Sequence, residues 1–170
     1  LNIDILEDEQ FWNILEFNEL VVFQSLDRLI IVDVNSNSFK TIEPKGTLLK
    51  SFKSNNQLYI FEEINGLSVV EKGEIKPINS RSTFKGQIVL GVFNIGSKKI
   101  AVTNKSGFYD LTDLKNIKKW RIKAEEELSK FTFYDVKKLA SGNLLIGTIA
   151  NGLFELNKDG EVVQRLNQTR

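Results

Sequence analysis

The chain alternates between short apolar runs and polar turns, and the alternation recurs in four similar repeats. Each repeat holds an apolar run, a polar turn, a second apolar run, a short connection and a third apolar run. Another polar turn leads to a fourth, more polar run. In the last repeat the runs are FTFYDV, LLIGT, LFEL and VVQRL. Short apolar runs bounded by turn residues are typical of β-strands, so each repeat is predicted to be four-stranded and antiparallel.

The repeats align on the last residue of the connection between the second and third strands. Gly66, Gly107 and Gly152 occupy this position, and Arg28 stands there in the first repeat. Successive anchors are 38, 41 and 45 residues apart, a period that matches β-propeller blades of about 40–50 residues. The fold is therefore predicted to be all-β, built from propeller blades. A single propeller fragment is expected over residues 1–170, with blades at approximately 11–44, 45–80, 82–122 and 130–167.

Individual residues predict where the turns, a short helix and the start of the first blade lie. Hairpin turns are predicted near residues 25–28, 63–66, 104–107 and 149–152. Asn-Gly suits a tight turn because both residues tolerate positive φ, whereas Arg28 would be strained there and is expected to use a different turn. Helix is favoured only over KAEEELSK, residues 123–130. Residues 1–10 are expected to be the outer strand of a preceding blade or a loose end.

The last repeat, ASGNLLIGTIANGLFELNKDGEVVQRLN, resembles the two-component regulator propeller repeat. The first repeat, FWNILEFNELVVFQSLDRLIIVD, looks like the opening blades of ligand-binding sensor proteins that end in a helix-turn-helix output domain. The third repeat departs from the pattern through LKNIKKWRIKAEEE. The matching positions in the last repeat are Gly142, Leu144, Ile146, Gly147, Thr148, Asn151, Gly152, Leu153 and Gly160.

The resemblance implies part of the periplasmic sensor of a membrane-spanning bacterial regulator with a kinase or DNA-binding output. Some relatives sense carbohydrate fragments. The expected function is a non-enzymatic ligand-binding or interaction module, with an unknown small ligand, such as a carbohydrate, and the remaining blades of the parent protein as partners. Two alternatives remain open, namely structural scaffold blades with the ligand bound elsewhere, and a carboxylate-dependent propeller hydrolase or lyase. The matched residues build the blade, and no ligand contact is assigned from them.

Composition narrows the functional classes. The 170 residues include no His and no Cys, which removes the commonest general base, the thiol nucleophile and the usual ligands of transition metals. We therefore expect no catalytic site, no metal site and no cofactor. A formal net charge of +1 argues against nucleic-acid binding, and the short apolar runs argue against membrane contact. The chain lacks Met and opens at Leu1, so it is expected to be a piece of a longer protein.

A basic segment with an aromatic residue, KKWRIK at residues 118–123, admits two interpretations. Such interleaving occurs in nucleic-acid-binding surfaces. The favoured interpretation is an outer strand in which Trp120 and Ile122 share one face and the basic residues share the solvated face. The acidic residues 125–127 that follow offset the local charge.

Clustered carboxylates are candidate acid–base or calcium-binding groups. The clusters are Glu7, Asp8 and Glu9, then Glu62 and Glu63, and finally Glu125, Glu126 and Glu127. None has the spacing of a calcium loop, and a solvated surface is the favoured interpretation. Residues 157–160, NKDG, are interpreted as a plain turn because a lysine replaces a ligand and no bidentate glutamate follows.

Four aromatic residues are candidates for stacking on a sugar, namely Trp12, Tyr59, Tyr109 and Tyr134. Tyr59 and Tyr109 lie inside predicted strands, where packing between blades is favoured. A pocket, if one exists, is expected at the loops that join one blade to the next, because binding residues concentrate on loops held by a rigid scaffold. These loops are residues 43–47, 79–86 and 123–130.

The four blades are expected to form an open partial propeller, since the chain breaks off at QRLNQTR where the resembling family continues. An open arc exposes an apolar sheet face at each end. We therefore expect a homodimer in which end blades of two copies stack about a two-fold axis.

Overall fold

The structure is a computed structural model that describes residues 7–78 and 82–167. The chain divides into two compact units, one up to Thr83 and one from Phe84 onward. Each unit contains two four-stranded antiparallel sheets in which the strands follow one another in sequence order. We refer to the sheets in chain order as blades 1 to 4.

The first unit contains blades 1 and 2. Blade 1 consists of β1 (Asn13–Phe17), β2 (Leu20–Gln24), β3 (Leu29–Asp33) and β4 (Ser38–Ile42). Blade 2 consists of β5 (Leu48–Ser54), β6 (Gln57–Glu62), β7 (Gly66–Glu71) and β8 (Glu74–Pro77).

The second unit contains blades 3 and 4 with a one-turn helix between them. Blade 3 consists of β9 (Val89–Ile95), β10 (Lys98–Thr103), β11 (Phe108–Asp110) and β12 (Lys118–Lys119). The helix is α1 (Glu125–Leu128). Blade 4 consists of β13 (Phe133–Lys138), β14 (Leu144–Thr148), β15 (Leu153–Leu156) and β16 (Val162–Leu166).

The predicted repeat of four four-stranded antiparallel blades is confirmed, and each sheet lies within one predicted blade range. The short helix falls inside the predicted 123–130 segment. Of the predicted leftover strand, residues 1–6 lie outside the described part of the chain, and residues 7–10 form no strand. That the whole chain is a single domain stays a prediction.

The second-to-third strand connections use positive φ differently from the expectation. Gly66 and Gly152 adopt φ of 72° and 76° as predicted, but Asn65 and Asn151 do not adopt positive φ. In the last connection Ala150, rather than Asn151, has a positive φ besides Gly152, at 66°. The asparagine part of the prediction was therefore wrong, because these connections are not two-residue primed turns.

Arg28 lies in a different turn, as predicted for a residue without glycine's freedom, and its connection is shorter than that of the last blade. The Ser25 N–H donates to the Arg28 carbonyl at 3.0 Å, so this hydrogen bond spans three residues. The matching hydrogen bond of the last blade, from the Thr148 N–H to the Gly152 carbonyl, spans four residues. The Ser25 hydroxyl also accepts the N–H groups of Asp27 and Arg28, both at 3.2 Å. This side-chain turn stands where blades 2 and 4 have a glycine with positive φ.

In the first unit the two blades pack face to face, because alternate side chains of each strand point to the shared interface. Burying one large aliphatic side chain contributes about 1.5–3 kcal/mol, so this cluster stabilises the unit. Its buried members are Val22, Leu29, Ile42, Leu48, Leu58, Ile60 and Val70.

A buried polar network crosses the same interface. The Ser51 hydroxyl donates to Gln24 Oε1 at 2.7 Å, and Gln24 Nε2 donates to the Leu48 carbonyl at 3.2 Å. Asn13 Nδ2 donates to the Ser51 carbonyl at 2.8 Å. Gln24 and Ser51 are almost completely buried, so these bonds fix how the two blades are aligned.

Substituting Gln24→Ala is expected to lower the free energy of unfolding by about 2 kcal/mol, because it strips partners from buried polar groups of Ser51 and Leu48. Urea denaturation measures this change. The matched substitution Gln164→Ala, at an exposed position of β16, is expected to have little effect. Equal effects of both substitutions would show that the network does not stabilise the unit.

The second unit has an equivalent core between blades 3 and 4. Leu128, the buried residue of α1, joins this core and anchors the segment between the blades. The core residues are Leu90, Ile95, Ile100, Val102, Phe108, Ile122, Leu128, Phe133, Val136, Leu144, Ile146, Phe154 and Leu156.

Candidate ligand-binding site

A pocket of about 360 Å³ lies in the second unit where three hairpin turns come together. Its volume is at the lower end of the range of about 300–1,000 Å³ in which small-molecule sites fall. The turns are those of β9–β10, β13–β14 and β15–β16, since antiparallel strands in sequence order place these turns at one edge of the blades. The lining residues are 94–96, Lys138, 141–143 and 157–159.

Two features hold the first two turns in place. The Lys138 ammonium donates to the Asn94 carbonyl at 2.6 Å and ties blade 4 to blade 3 across the pocket. Gly96 and Gly142 adopt φ of 58° and 89°, and no atom stands within 4 Å of where a Cβ would project. The glycines therefore leave open space beside the pocket rim.

The third turn is held by hydrogen bonds of Asn157. Its Oδ1 accepts the N–H groups of Asp159 and Glu161, both at 3.0 Å, and its Nδ2 donates to Glu161 Oε2 at 2.8 Å. Gly160, with φ of 74°, packs closely on Ile122. The segment NKDG is thus a side-chain-stabilised turn, which agrees with the plain-turn interpretation.

The pocket offers mainly neutral polar groups, with two lysines and one aspartate at its rim. Lys158 and Asp159 are exposed, and Asn143 is oriented by a hydrogen bond from its Nδ2 to Glu155 Oε1 at 2.7 Å. Amide, hydroxyl and backbone groups of this kind are suited to hydrogen bonding with a small hydroxyl-rich ligand.

Glu161 supports the third turn from behind. Its carboxylate accepts a hydrogen bond from the Lys123 ammonium at 2.8 Å and a second from Asn157. The Lys123 bond, followed by the Asn157 bond, lowers the pKa of Glu161 below its ordinary value of 4.5. Lys123 belongs to a blade-joining loop, which therefore braces a turn that lines the pocket.

The turn that contains Glu161 is expected to loosen in acid. The pKa of Glu161 is lower in the folded state than in the unfolded chain. The ionised Glu161 carboxylate therefore stabilises the fold above pH 4.5, and this stabilisation is lost as the pH falls through the pKa of the folded state. An NMR titration of the Glu161 carboxyl carbon and the Gly160 amide measures both changes. In a Glu161→Gln variant the Gly160 amide is expected to stay constant in that window. A Glu161 pKa at or above 4.5 would contradict the arrangement.

Two of the four candidate aromatic residues have packing roles. Tyr59 is buried, stacks on Phe52 at a centroid distance of 5.5 Å and donates its hydroxyl hydrogen to Gln57 Oε1 at 2.7 Å. The Tyr109 ring meets Phe84 edge-on at 5.0 Å, and its hydroxyl accepts a hydrogen bond from Gln87 Nε2 at 2.9 Å. Both rings make packing contacts inside one predicted blade range, and packing between blades stays a prediction for them.

The other two aromatic candidates are exposed but do not line the pocket. Trp12 in the first unit is 63% exposed, and Tyr134 on β13 is 72% exposed. Of the blade-joining loops, residues 79–81 lie outside the described part of the chain. That these loops form a ligand site stays a prediction, since hairpin turns line the pocket described here.

The carboxylate clusters do not converge on one point, and the solvated-surface interpretation is wrong for Glu9 and Glu62, whose side chains are buried. Glu62 is buried and accepts the N–H groups of Ile64 and Asn65 at 2.9 and 2.8 Å, which closes its own turn. Glu9 pairs with Arg28 at 2.6 Å. The Glu125 and Glu127 carboxylates pair with cations on β12 and β16, respectively. Within the described residues, no group of three His, Cys, Asp or Glu side chains is arranged to hold a metal ion.

The basic segment 118–123 separates its side chains as the favoured interpretation requires. Trp120 packs partly buried against the core and meets Phe108 edge-on at 6.3 Å, and Ile122 is buried. Lys119 and Lys123 are exposed and pair with acidic side chains. The strand β12 ends at Lys119, so only the start of the segment is an outer strand.

No known family model matches the chain, and no curated protein matches it. Solved structures do match. The extracellular domain of a hybrid two-component system from B. thetaiotaomicron has a TM-score of 0.65 and 16% identity, over 94% of this chain and 22% of its own length. A structural genomics protein of unknown function from Bacteroides thetaiotaomicron VPI-5482 has a TM-score of 0.64 and 16% identity. The match covers 89% of this chain and 42% of that protein's chain.

An enzyme also shares the fold. The dihydro-heme d1 dehydrogenase NirN in complex with DHE has a TM-score of 0.59 and 10% identity, over 89% of this chain and 35% of its own length. The chain thus spans about 22% of the first of these structures and less than half of the others. The resemblance to sensor propellers is confirmed at the level of the fold. In the described residues no helix has the length and hydropathy to cross a bilayer.

Proposed function

We propose that this chain is part of the periplasmic sensor propeller of a bacterial signal-transduction regulator and acts there as a non-enzymatic ligand-binding module. One observation carries the proposal. The four blades have the fold of the extracellular domain of a two-component system, and the last blade also has the sequence pattern of the two-component regulator propeller repeat, including Gly147, Thr148 and Gly152.

The proposed ligand is a small hydroxyl-rich molecule such as a carbohydrate fragment. The turn-lined pocket supports this class, because it presents amide, hydroxyl and backbone groups and is braced by hydrogen bonds of Lys138 and Asn157. Neutral hydrogen-bonding groups of this kind match sugar hydroxyls. The proposed partners beyond the ligand are the remaining blades of the parent protein.

A panel of neutral and acidic oligosaccharides tests the proposal. Each sugar is added to the purified protein, binding is measured by the shift in thermal unfolding, and turnover is measured by mass spectrometry of the sugar. The proposal predicts stabilisation by at least one sugar and intact sugar after incubation. Cleavage would favour the carboxylate-dependent hydrolase or lyase instead. No stabilisation by any sugar would favour scaffold blades with the ligand bound elsewhere.

Binding is expected to require the turns that line the pocket. A Ser141→Trp substitution places a large ring beside the open space at Gly142 and is expected to abolish the stabilising effect of the sugar. The control Ser36→Trp, at an exposed turn of blade 1, is expected to leave binding unchanged. Loss of binding in both variants would show that the sugar does not recognise the pocket.

A further inference from the structure

Lys138 lies where the core between blades 3 and 4 ends and the pocket begins. It follows the core residue Val136 by two positions on β13, so both side chains leave the strand on the same face. At this edge the Lys138 ammonium reaches the turn of β9–β10 and donates to the Asn94 carbonyl at 2.6 Å. Lysine suits such an edge, because its methylene stem packs along apolar surface while its ammonium group reaches polar surroundings.

The Lys138 ammonium retains donors for a ligand. An ammonium group has three N–H groups, and the Asn94 carbonyl accepts one of them. Lys138 forms no ion pair with any described residue, whereas the preceding Lys137 pairs with Asp135 at 3.5 Å. Lys137 leaves the strand on the opposite face, so this ion pair lies on the other side of blade 4. Lys138 therefore brings a cation without a counter-ion to the wall of the pocket.

The third turn adds a second cation to the pocket. Within the part of the chain that the structure describes, Lys158 forms no ion pair. The neighbouring Asp159 supplies the one carboxylate of the described lining residues. The hydrogen bond to Glu161, and with it the charge of Asp159, raises the pKa of Lys123. The charge of Asp159 is thus partly offset by a cation that does not line the pocket, and the two lining lysines outweigh it.

We propose that the pocket selects an anionic sugar, whose carboxylate or sulfate group binds the Lys138 ammonium with Lys158 nearby. This inference rests on the proposed function and adds the charge of the ligand to it. A hydrogen bond between an ammonium group and an anion is roughly twice as strong as one between neutral groups. The bond to Asn94 also holds the ammonium in place before the ligand arrives, which reduces the side-chain entropy lost on binding.

Matched disaccharides test the charge preference with the purified chain. The first pair is a galacturonic acid disaccharide and the galactose disaccharide of the same linkage. The second pair is a galactose disaccharide with and without one sulfate group. Isothermal titration calorimetry is expected to show that the anionic member of at least one pair binds about tenfold more tightly at low salt. Added salt is expected to reduce this preference, and the pair that responds identifies the anionic group.

Variants of two adjacent lysines test the role of Lys138. Lys138→Gln is expected to abolish the preference for the anionic sugar, and Lys138→Arg, which keeps the charge, is expected to retain it. The matched control is Lys137→Gln, which removes a cation from the opposite face of the same strand. Because Lys138→Gln also alters the bond to Asn94, the measured quantity is the ratio of the two dissociation constants in a pair. Circular dichroism checks that each variant is folded.

The outcomes separate this inference from the proposed function. Equal binding of both members of each pair would overturn the charge preference and leave a ligand-binding pocket in place. A preference that Lys138→Gln retains, or that Lys137→Gln abolishes, would overturn the assignment to Lys138. Binding of none of these disaccharides would also overturn the inference, and the full oligosaccharide panel then decides the proposed function independently.

Discussion

Replacing Gly152 with alanine is expected to lower the free energy of unfolding by about 3 kcal/mol, since it combines left-handed backbone strain with a direct clash. Gly152 has a φ of 76°, and an added Cβ would lie 2.3 Å from the Leu166 carbonyl oxygen and 3.2 Å from Asn167 Cα. Both contacts are with backbone of the outer edge of blade 4, so no side-chain rotation relieves them. Urea denaturation of the purified variant measures the loss.

Gly142→Ala provides the matched control. Gly142 has a φ of 89°, but an added Cβ meets no atom within 4 Å. Only the backbone strain applies there, so the expected loss is about 1 kcal/mol. The difference in unfolding free energy between the two variants measures the cost of the clash between the last connection and the outer strand. Equal losses would contradict this close approach.

Removing the Glu9 carboxylate is expected to destabilise the first unit by about 3 kcal/mol, because it leaves the Arg28 charge without its main partner in a poorly hydrated place. Arg28 Nε and Nη2 donate to the two oxygens of Glu9 at 2.9 and 2.6 Å. The Glu9 side chain is 1% exposed and that of Arg28 is 11% exposed. This hydrogen bond also raises the pKa of Arg28.

The test is Glu9→Gln, which keeps the size of the side chain and removes its charge. Glu71→Gln is the control, because Glu71 pairs with Lys76 at 2.7 Å while both side chains are largely exposed. Exposed pairs contribute little to stability, so the control is expected to unfold like the wild type. A control that loses as much stability as Glu9→Gln would mean that burial of the Arg28 pair has no special role.

The positions of the strands along the chain can be predicted from its apolar periodicity. In the last blade, LLIGT, LFEL and VVQRL became β14, β15 and β16 with the predicted bounds. The third repeat departs from the repeat pattern, and its last two strands are correspondingly short, at three and two residues. Local pattern therefore predicts the blades because each strand depends on its own apolar residues and adjacent turns.

Interactions between distant segments could not be predicted in the same way. The sequence indicates that Arg28 needs a different turn, but its partner Glu9 lies 19 residues earlier in a segment without periodicity. The pocket joins residues near Asn94 to residues near Asn157. Each of its turns is recognisable from sequence, but the convergence depends on how blades 3 and 4 stack. The expectation of a pocket at the blade-joining loops came from general behaviour of loops rather than from this stacking.

The central claim is that the turn-lined pocket of the second unit recognises a small hydroxyl-rich ligand without chemical conversion. The most direct test is an NMR titration of isotope-labelled protein with the oligosaccharide that stabilises it most. The amide signals of Gly96, Gly142 and Asn143 are expected to shift together with one dissociation constant. Shifts confined to residues 43–47 and 123–130, or no shift of the pocket amides at saturation, would contradict it.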